Sequence, residues 1–120
     1  MINLTLAEVA RESNVMLALS QFLDDFRISS NKRLLIKDRP SSDSATAVEL
    51  CLMAAVAHKL AVDNNLDVPS WVHGKEYTMP QPVYAHETTD EDYRHYLIET
   101  TPGEFASKNL YYGINVMERV

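Results

Sequence analysis

Hydrophobic and polar residues fall along this chain in three kinds of block. In the first, Val9, Met16, Leu19, Leu23 and Phe26 recur at spacings of seven, three and four, which gathers them on one helix face and leaves Glu12, Gln21 and Asp25 largely outside. Thr5-Leu6-Ala7-Glu8 ahead of them has the form of a capping box, so a helix is expected to start there, with Asn14 as a point of interruption. In the second block, Ala45 to Val62 is apolar on nearly every face, the pattern of a helix buried between other elements. Pro40-Ser41-Ser42-Asp43-Ser44 supplies caps for a helix from about Ser44 to Val62, and Asp63-Asn64-Asn65 ends it, because asparagine tolerates the left-handed conformation found at helix C-termini. Between the two helices, Ile28 to Arg39 sets Leu34-Leu35-Ile36 within polar ends, which fits one short strand or an extended arm.

The third block is punctuated by proline. Pro69 is placed to open a short turn carrying Trp71. Pro80 and Pro82 remove two amide donors and fix two φ angles, so Tyr77 to Tyr84 is expected to be an extended surface segment. Thr88-Thr89-Asp90-Glu91-Asp92 is a helix start, with hydroxyl caps and carboxylates that suit the positive end of the helix dipole, and Tyr93, Tyr96 and Leu97 form that helix's apolar face. Thr101-Pro102-Gly103-Glu104 has the form of a second box, opening a helix of about two turns around Phe105 that Asn109 stops. Leu110-Tyr111-Tyr112 reads as extended, and Asn115 as the cap of a last turn. The sum is a mainly α, single-domain bundle over residues 1–120, with four to five helices and short extended segments.

Composition narrows the classes of function. With 46% hydrophobic and 23% charged residues, the chain matches a folded soluble domain rather than a disordered one. A net charge of −6 argues against generic polyanion binding, but the charge is unevenly spread. Arg27, Lys32, Arg33, Lys37 and Arg39 are opposed within their segment only by Asp38. From Glu76 to Glu104, in contrast, Glu76, Glu87, Asp90, Glu91, Asp92, Glu99 and Glu104 face Arg94 alone. The molecule is electrically two-ended. One cysteine, no secretory leader and no uninterrupted apolar span make the cytoplasm the expected compartment, with no membrane association.

Catalytic and metal chemistry find little purchase. Cys51 and His58, seven apart, share a helix face, but two ligands do not make a zinc site, and Asp92 with His95 reads as a surface ion pair. Cys51 lies inside the most apolar helix, where burial raises a thiol pKa and suppresses reactivity. Asp24 and Asp25 point about 100° apart on a helix and do not converge. The three glycines are isolated, so no phosphate-cradling loop is available. No catalytic residue, metal or cofactor is expected.

Leu6 to Phe26 also offers a helix-turn-helix reading. Ala10 and Val15 fit that pattern, but Asn14 stands where glycine is usual and Ser20 where a buried aliphatic is wanted. The reading helix would carry Asp24 and Asp25 with no base before Arg27, so phosphate would repel it.

Phe22-Leu23-Asp24-Asp25-Phe26, Pro69-Ser70-Trp71-Val72, Met79-Pro80-Gln81-Pro82, and Thr101-Pro102-Gly103-Glu104-Phe105 with Asn109 occur in an order that resembles a group of small uncharacterised bacterial proteins. Members are encoded beside nucleotidyltransferase-like or other toxin-like proteins, so the resemblance, spanning about residues 17–120, implies an antitoxin or accessory role. The chain departs from that group at Val83-Tyr84, where an aromatic-rich ending is usual, and at Lys108, where arginine is usual.

The leading expectation is therefore a non-catalytic protein-interaction or regulatory subunit, antitoxin-like, with a protein partner or a homodimer. Trp71, Tyr77, Tyr84, Asp92, Glu99, Tyr111 and Tyr112 are its candidate contact residues, since aromatic rings supply area and carboxylates steer a basic partner. The alternative is a helix-turn-helix-like DNA-binding regulator using Arg27, Lys32, Arg33, Lys37 and Arg39; an enzyme of unknown type comes third.

Overall fold

The computed structural model describes residues 4–41, 45–85 and 90–119. Thr5 opens the fold as expected: its hydroxyl accepts from the Glu8 amide at 3.2 Å while Glu8 Oε1 accepts from the Thr5 amide at 2.9 Å, and that second contact holds the Glu8 carboxyl below its usual pKa. The helix so begun, α1 (Leu6–Val9), is only four residues long. The chain breaks before Asn14, whose side chain caps α2 (Val15–Ile28) by accepting from the Leu17 amide. Val9, Leu19, Leu23 and Phe26 are buried, as is Phe22, whose ring lies 5.9 Å from that of Phe26.

Leu34–Ile36 does not form a strand. Lys32–Ile36 is a short helix, α3. Its residues are good helix formers, and Leu35 and Ile36 are buried while Arg33 and Leu34 stay outside, a two-in, two-out pattern that strand alternation cannot give. Lys32 fixes the corner: its ammonium donates to the C-terminal carbonyls of α2, Ser29 O at 2.8 Å and Arg27 O at 3.4 Å, and lies 5.8 Å from the Phe26 ring centroid.

The long central helix, α4 (Ala47–Asp63), is the core element. Every residue from Leu50 to Ala57 is buried, and the helix packs against α2, the proline-rich turns and the C-terminal segment. Its cap is Thr46, not the earlier serines: Thr46 and Glu49 form a complete capping box. Ser42 to Ser44 lie outside the described residues. Asn64 closes the helix and Asn65 takes a left-handed φ of 56°.

After α4, a 3-10 turn over Ser70–His73 carries Trp71 and another follows at Lys75–Tyr77. The chain then runs extended past Pro80 and Pro82 into β1 (Val83–Tyr84), which pairs in parallel with β2 (Leu110–Tyr111), Val83 opposite Leu110 and Tyr84 opposite Tyr111. The crossover that parallel strands require holds α5 (Glu91–Thr100) and α6 (Gly103–Ala106). Thr88 and Thr89 lie outside the described residues, and Asp90 caps α5 by accepting from the amides of Asp92 and Tyr93. The box expected at Thr101–Glu104 is absent and α6 is one turn rather than two. Thr101 is spent elsewhere: buried, it closes α5 by donating to Leu97 O and accepts from Gly113 N at 2.9 Å. Asn109 stops the chain beyond α6 with φ 64°, and α7 (Val116–Arg119) is the last turn. Among the described residues no helix is long and apolar enough to cross a membrane.

Candidate functional site

The strands owe their position to side chains that satisfy backbone groups which regular structure would otherwise pair. Trp71 Nε1 donates to Ile36 O at 3.2 Å, Tyr77 Oη to Pro40 O at 2.8 Å, Asn109 Nδ2 to Met79 O at 2.7 Å, and Lys108 Nζ to Val72 O. Backbone bonds from Met79 N to Lys108 O, Val83 N to Asn109 O and Ala85 N to Tyr111 O complete the strap.

On this strap the Tyr84 and Tyr111 rings stack with centroids 5.7 Å apart and planes 27° from parallel, and the Arg94 guanidinium from α5 lies 5.2 Å from the Tyr84 centroid. Both tyrosines are half-buried. Leu97 is the buried residue of the adjoining helix α5, which also reaches the strap through Arg94. Asp92 and Glu99 are exposed on it, as are Tyr96 (53%) and Ile98 (45%). Of its three expected apolar contacts, Leu97 alone is buried and Tyr96 faces outward. Helix α5 thus meets the stacked tyrosines through Arg94 on one side and exposes Asp92, Tyr96 and Glu99 on the other.

The remaining sequence candidates are scattered or inward. Tyr77 does not belong to a surface: it is 2% exposed, its hydroxyl is satisfied by Pro40 O, its ring meets Trp71 edge-on at 5.2 Å, and burial pushes its pKa up. Trp71 is half-buried with its indole N–H already used. Tyr112 is half-buried, and burial raises its pKa too.

The basic residues are not gathered into one face. Arg27 lies 3.9 Å from Asp24, Arg33 3.5 Å from Asp67 and Arg39 3.5 Å from Glu76, all exposed pairs, while Lys32 is occupied with carbonyls. Around α3, however, Arg33 and Lys37 stand on one exposed face with Leu34 (56% exposed) on its flank. Two clefts flank them: one of about 520 Å³ running from Ser29 to Leu34 with Leu66 as its far wall, the other of about 180 Å³ reaching Trp71; Arg33 borders both. On α2, the outward positions carry Leu17, Gln21 and Asp24 before the first base, Arg27.

A buried polar group that the sequence marked only as a departure from arginine is Lys108, 4% exposed. Burial pulls its ammonium below the usual lysine pKa, and the neighbouring Cys51 works the other way. Cys51 is itself 1% exposed, touches Glu76 O through its sulfur at 3.8 Å, and has its thiol pKa raised by burial, so it is a poor nucleophile. His58 sits nearby with its ring 5.5 Å from His73, edge to face; burial is the main cause that lowers its pKa, with Glu104 opposing. Among the described residues no group of three or more histidine, cysteine or acidic side chains could hold a metal ion. The chemistry of this cluster is to anchor the Val72 carbonyl.

Arg94, Tyr96, Leu34 and Lys108 are the positions sequence reasoning passed over. The only advance signal was local: Arg94 is the lone base among the acids, and Tyr96 sits at i+4 from Asp92. Comparison with protein-family models, with curated proteins and with solved structures finds no match for this chain.

Proposed function

We propose that this chain is a non-catalytic interaction or regulatory subunit that works by binding another polypeptide through the tyrosine strap and α5, in the manner of an antitoxin. The observation that carries this is the stacked Tyr84–Tyr111 pair met by Arg94 from α5, a helix that on its opposite side exposes Asp92, Tyr96 and Glu99. Large rings there offer contact area at low entropic cost, and the carboxylates steer a basic partner toward it. Leu97 is the buried residue of the helix, and Asp92, Tyr96 and Glu99 on its outer face are exposed.

The test is affinity isolation from the native host with wild type and with a Tyr84→Ser, Tyr111→Ser double variant, after thermal melting has shown that both fold. A protein retained by wild type and lost with the variant supports the proposal; identical recovery by both sinks it. A charge-reversed Asp92→Lys, Glu99→Lys variant is expected to slow association steeply at low salt and little at high salt.

A further inference from the structure

Two exposed surfaces of the molecule, one at α3 and one on α5, carry opposite charge. At α3, Arg33 and the C-cap Lys37 lie four residues apart on one face and Leu34 stands on its flank, all three exposed. On α5, Asp92, Tyr96 and Glu99 follow one another at spacings of four and three, which also puts them on one exposed face. Each surface sets an exposed apolar side chain beside two like charges: Leu34 on the flank of two bases, Tyr96 between two acids. Their apolar members are alike in exposure, Leu34 at 56% and Tyr96 at 53%. Beside Leu34 lies the cleft of about 520 Å³, and Ile28, 84% exposed, stands at the end of α2 where α2 turns into α3.

We infer that α5 of one copy docks across the α3 corner of a second copy, carboxylates on Arg33 and Lys37 and Tyr96 against Leu34 in the adjoining cleft. This rests on the reading of α5 as an interaction surface and names its occupant. Charge complementarity selects the second copy. The acids around the corner, Asp67 and Asp38, do not prevent it: both are exposed, and Asp67, 94% exposed in its side chain, pairs with Arg33 at 3.5 Å in open solvent, so an incoming carboxylate can take its place at little cost. Asp24 is engaged by Arg27 in the same exposed fashion. The contact joins two different surfaces, so it is head-to-tail, and one short helix on one corner falls below the roughly 1,200 Å² of a standard interface. Association is therefore weak and salt-sensitive.

Sedimentation of four samples tests it: wild type, Arg33→Glu with Lys37→Glu, Asp92→Lys with Glu99→Lys, and an equimolar mixture of the two variants. Wild type is expected to gain mass with concentration at low salt and to lose it at high salt. Each variant alone sets like charges against each other and should associate at least about tenfold more weakly. Their mixture restores opposite charges at both possible contacts and should regain mass. A wild type that stays monomeric at its highest concentration and low salt overturns the inference, as do variants that associate like wild type or a mixture that remains monomeric. If the α3 pair does not fold, Leu34→Ser and Tyr96→Ser carry the same test, each expected to weaken association without altering its salt dependence. A monomeric wild type that still retains a host protein through Tyr84 and Tyr111 removes the second copy as occupant and leaves the interaction function standing.

Discussion

Helices α4 and α5 begin in similar ways and end up in opposite places. Each is opened by a side-chain cap that satisfies N-terminal amides, Thr46 with Glu49 in one and Asp90 in the other, and each carries acid in its first turn. Yet α4 buries an unbroken run from Leu50 to Ala57 while α5 buries Leu97 alone. Capping sets where a helix starts; the distribution of apolar side chains sets whether it belongs to the core. A helix that is capped but barely anchored is one whose outer surface is left for other work.

The sharpest way to break this comparison is to place one charge in each helix. Val56→Asp, at a position with no exposure, should abolish cooperative folding, because an unpaired buried carboxylate costs as much as the whole margin of a small domain; Ile98→Asp on the outside of α5 should shift stability by no more than about 0.5 kcal/mol. Denaturant melts of the two variants decide it, and equal loss in both would show that α5 is a core element. Next in size is Leu97→Ala. Removing the one buried contact of α5 should cost about 2–4 kcal/mol of the local free energy that holds the helix down, seen as hydrogen exchange in α5 well before α4 opens.

A smaller effect separates the caps. Thr46→Ala should lower global stability by about 1 kcal/mol, whereas Asp90→Ala should cost a similar amount only in the protection of α5 and leave the midpoint of the main transition nearly where it was. The smallest effect is a slope with pH. His58 has a folded pKa below its ordinary 6.5, chiefly through burial, so between that lowered value and 6.5 the unfolded chain holds more protons and stability rises with pH. The penalty appears as pH falls through that window and is constant below it. His58→Gln should flatten the slope; an unchanged profile would assign the acid sensitivity to the carboxylates.

How far the sequence could be trusted differed by element for physical reasons. Mainly helical content, the Thr5 capping box, the buried central helix, its Asn64–Asn65 ending, the Pro69 turn and the extended run past Pro80 and Pro82 were all legible, because each depends on spacing or on the stereochemistry of one residue, whereas Tyr77, expected to open that run at the surface, closes a 3-10 turn instead. α3 was not, since five residues give too little periodicity to separate helix from strand. Thr46-x-x-Glu49 was legible but masked by the serines before it. Thr101 was misassigned because the same hydroxyl suits either a helix start or a helix end, and tertiary contact with Gly113 chose the end. Tyr77 was placed outside on composition alone; only its partner, Pro40 O, contributed from 37 residues away, explains why it is inside. The candidate surface was half legible: Tyr84, Tyr111, Asp92 and Glu99 were marked, while Arg94 and Tyr96 needed the third dimension.

The side chains that fasten the proline segment bear on the order of events during synthesis. Val72 and Met79 are held by Lys108 and Asn109, which lie 36 and 30 residues further on, near the end of the chain. A chain emerging from the ribosome would have α1 through α4 available while those two residues were still in the exit tunnel. Contacts of this range bear a loop-closure cost before they return anything, so they form late. The helical first half can gather before the strap exists, and the strap, with Tyr84 and Tyr111 on it, closes only after Lys108 to Tyr111 have emerged. A nascent chain would then be folded well before its tyrosine face was fit for use, which gives the polypeptide a built-in delay between having a core and having a partner.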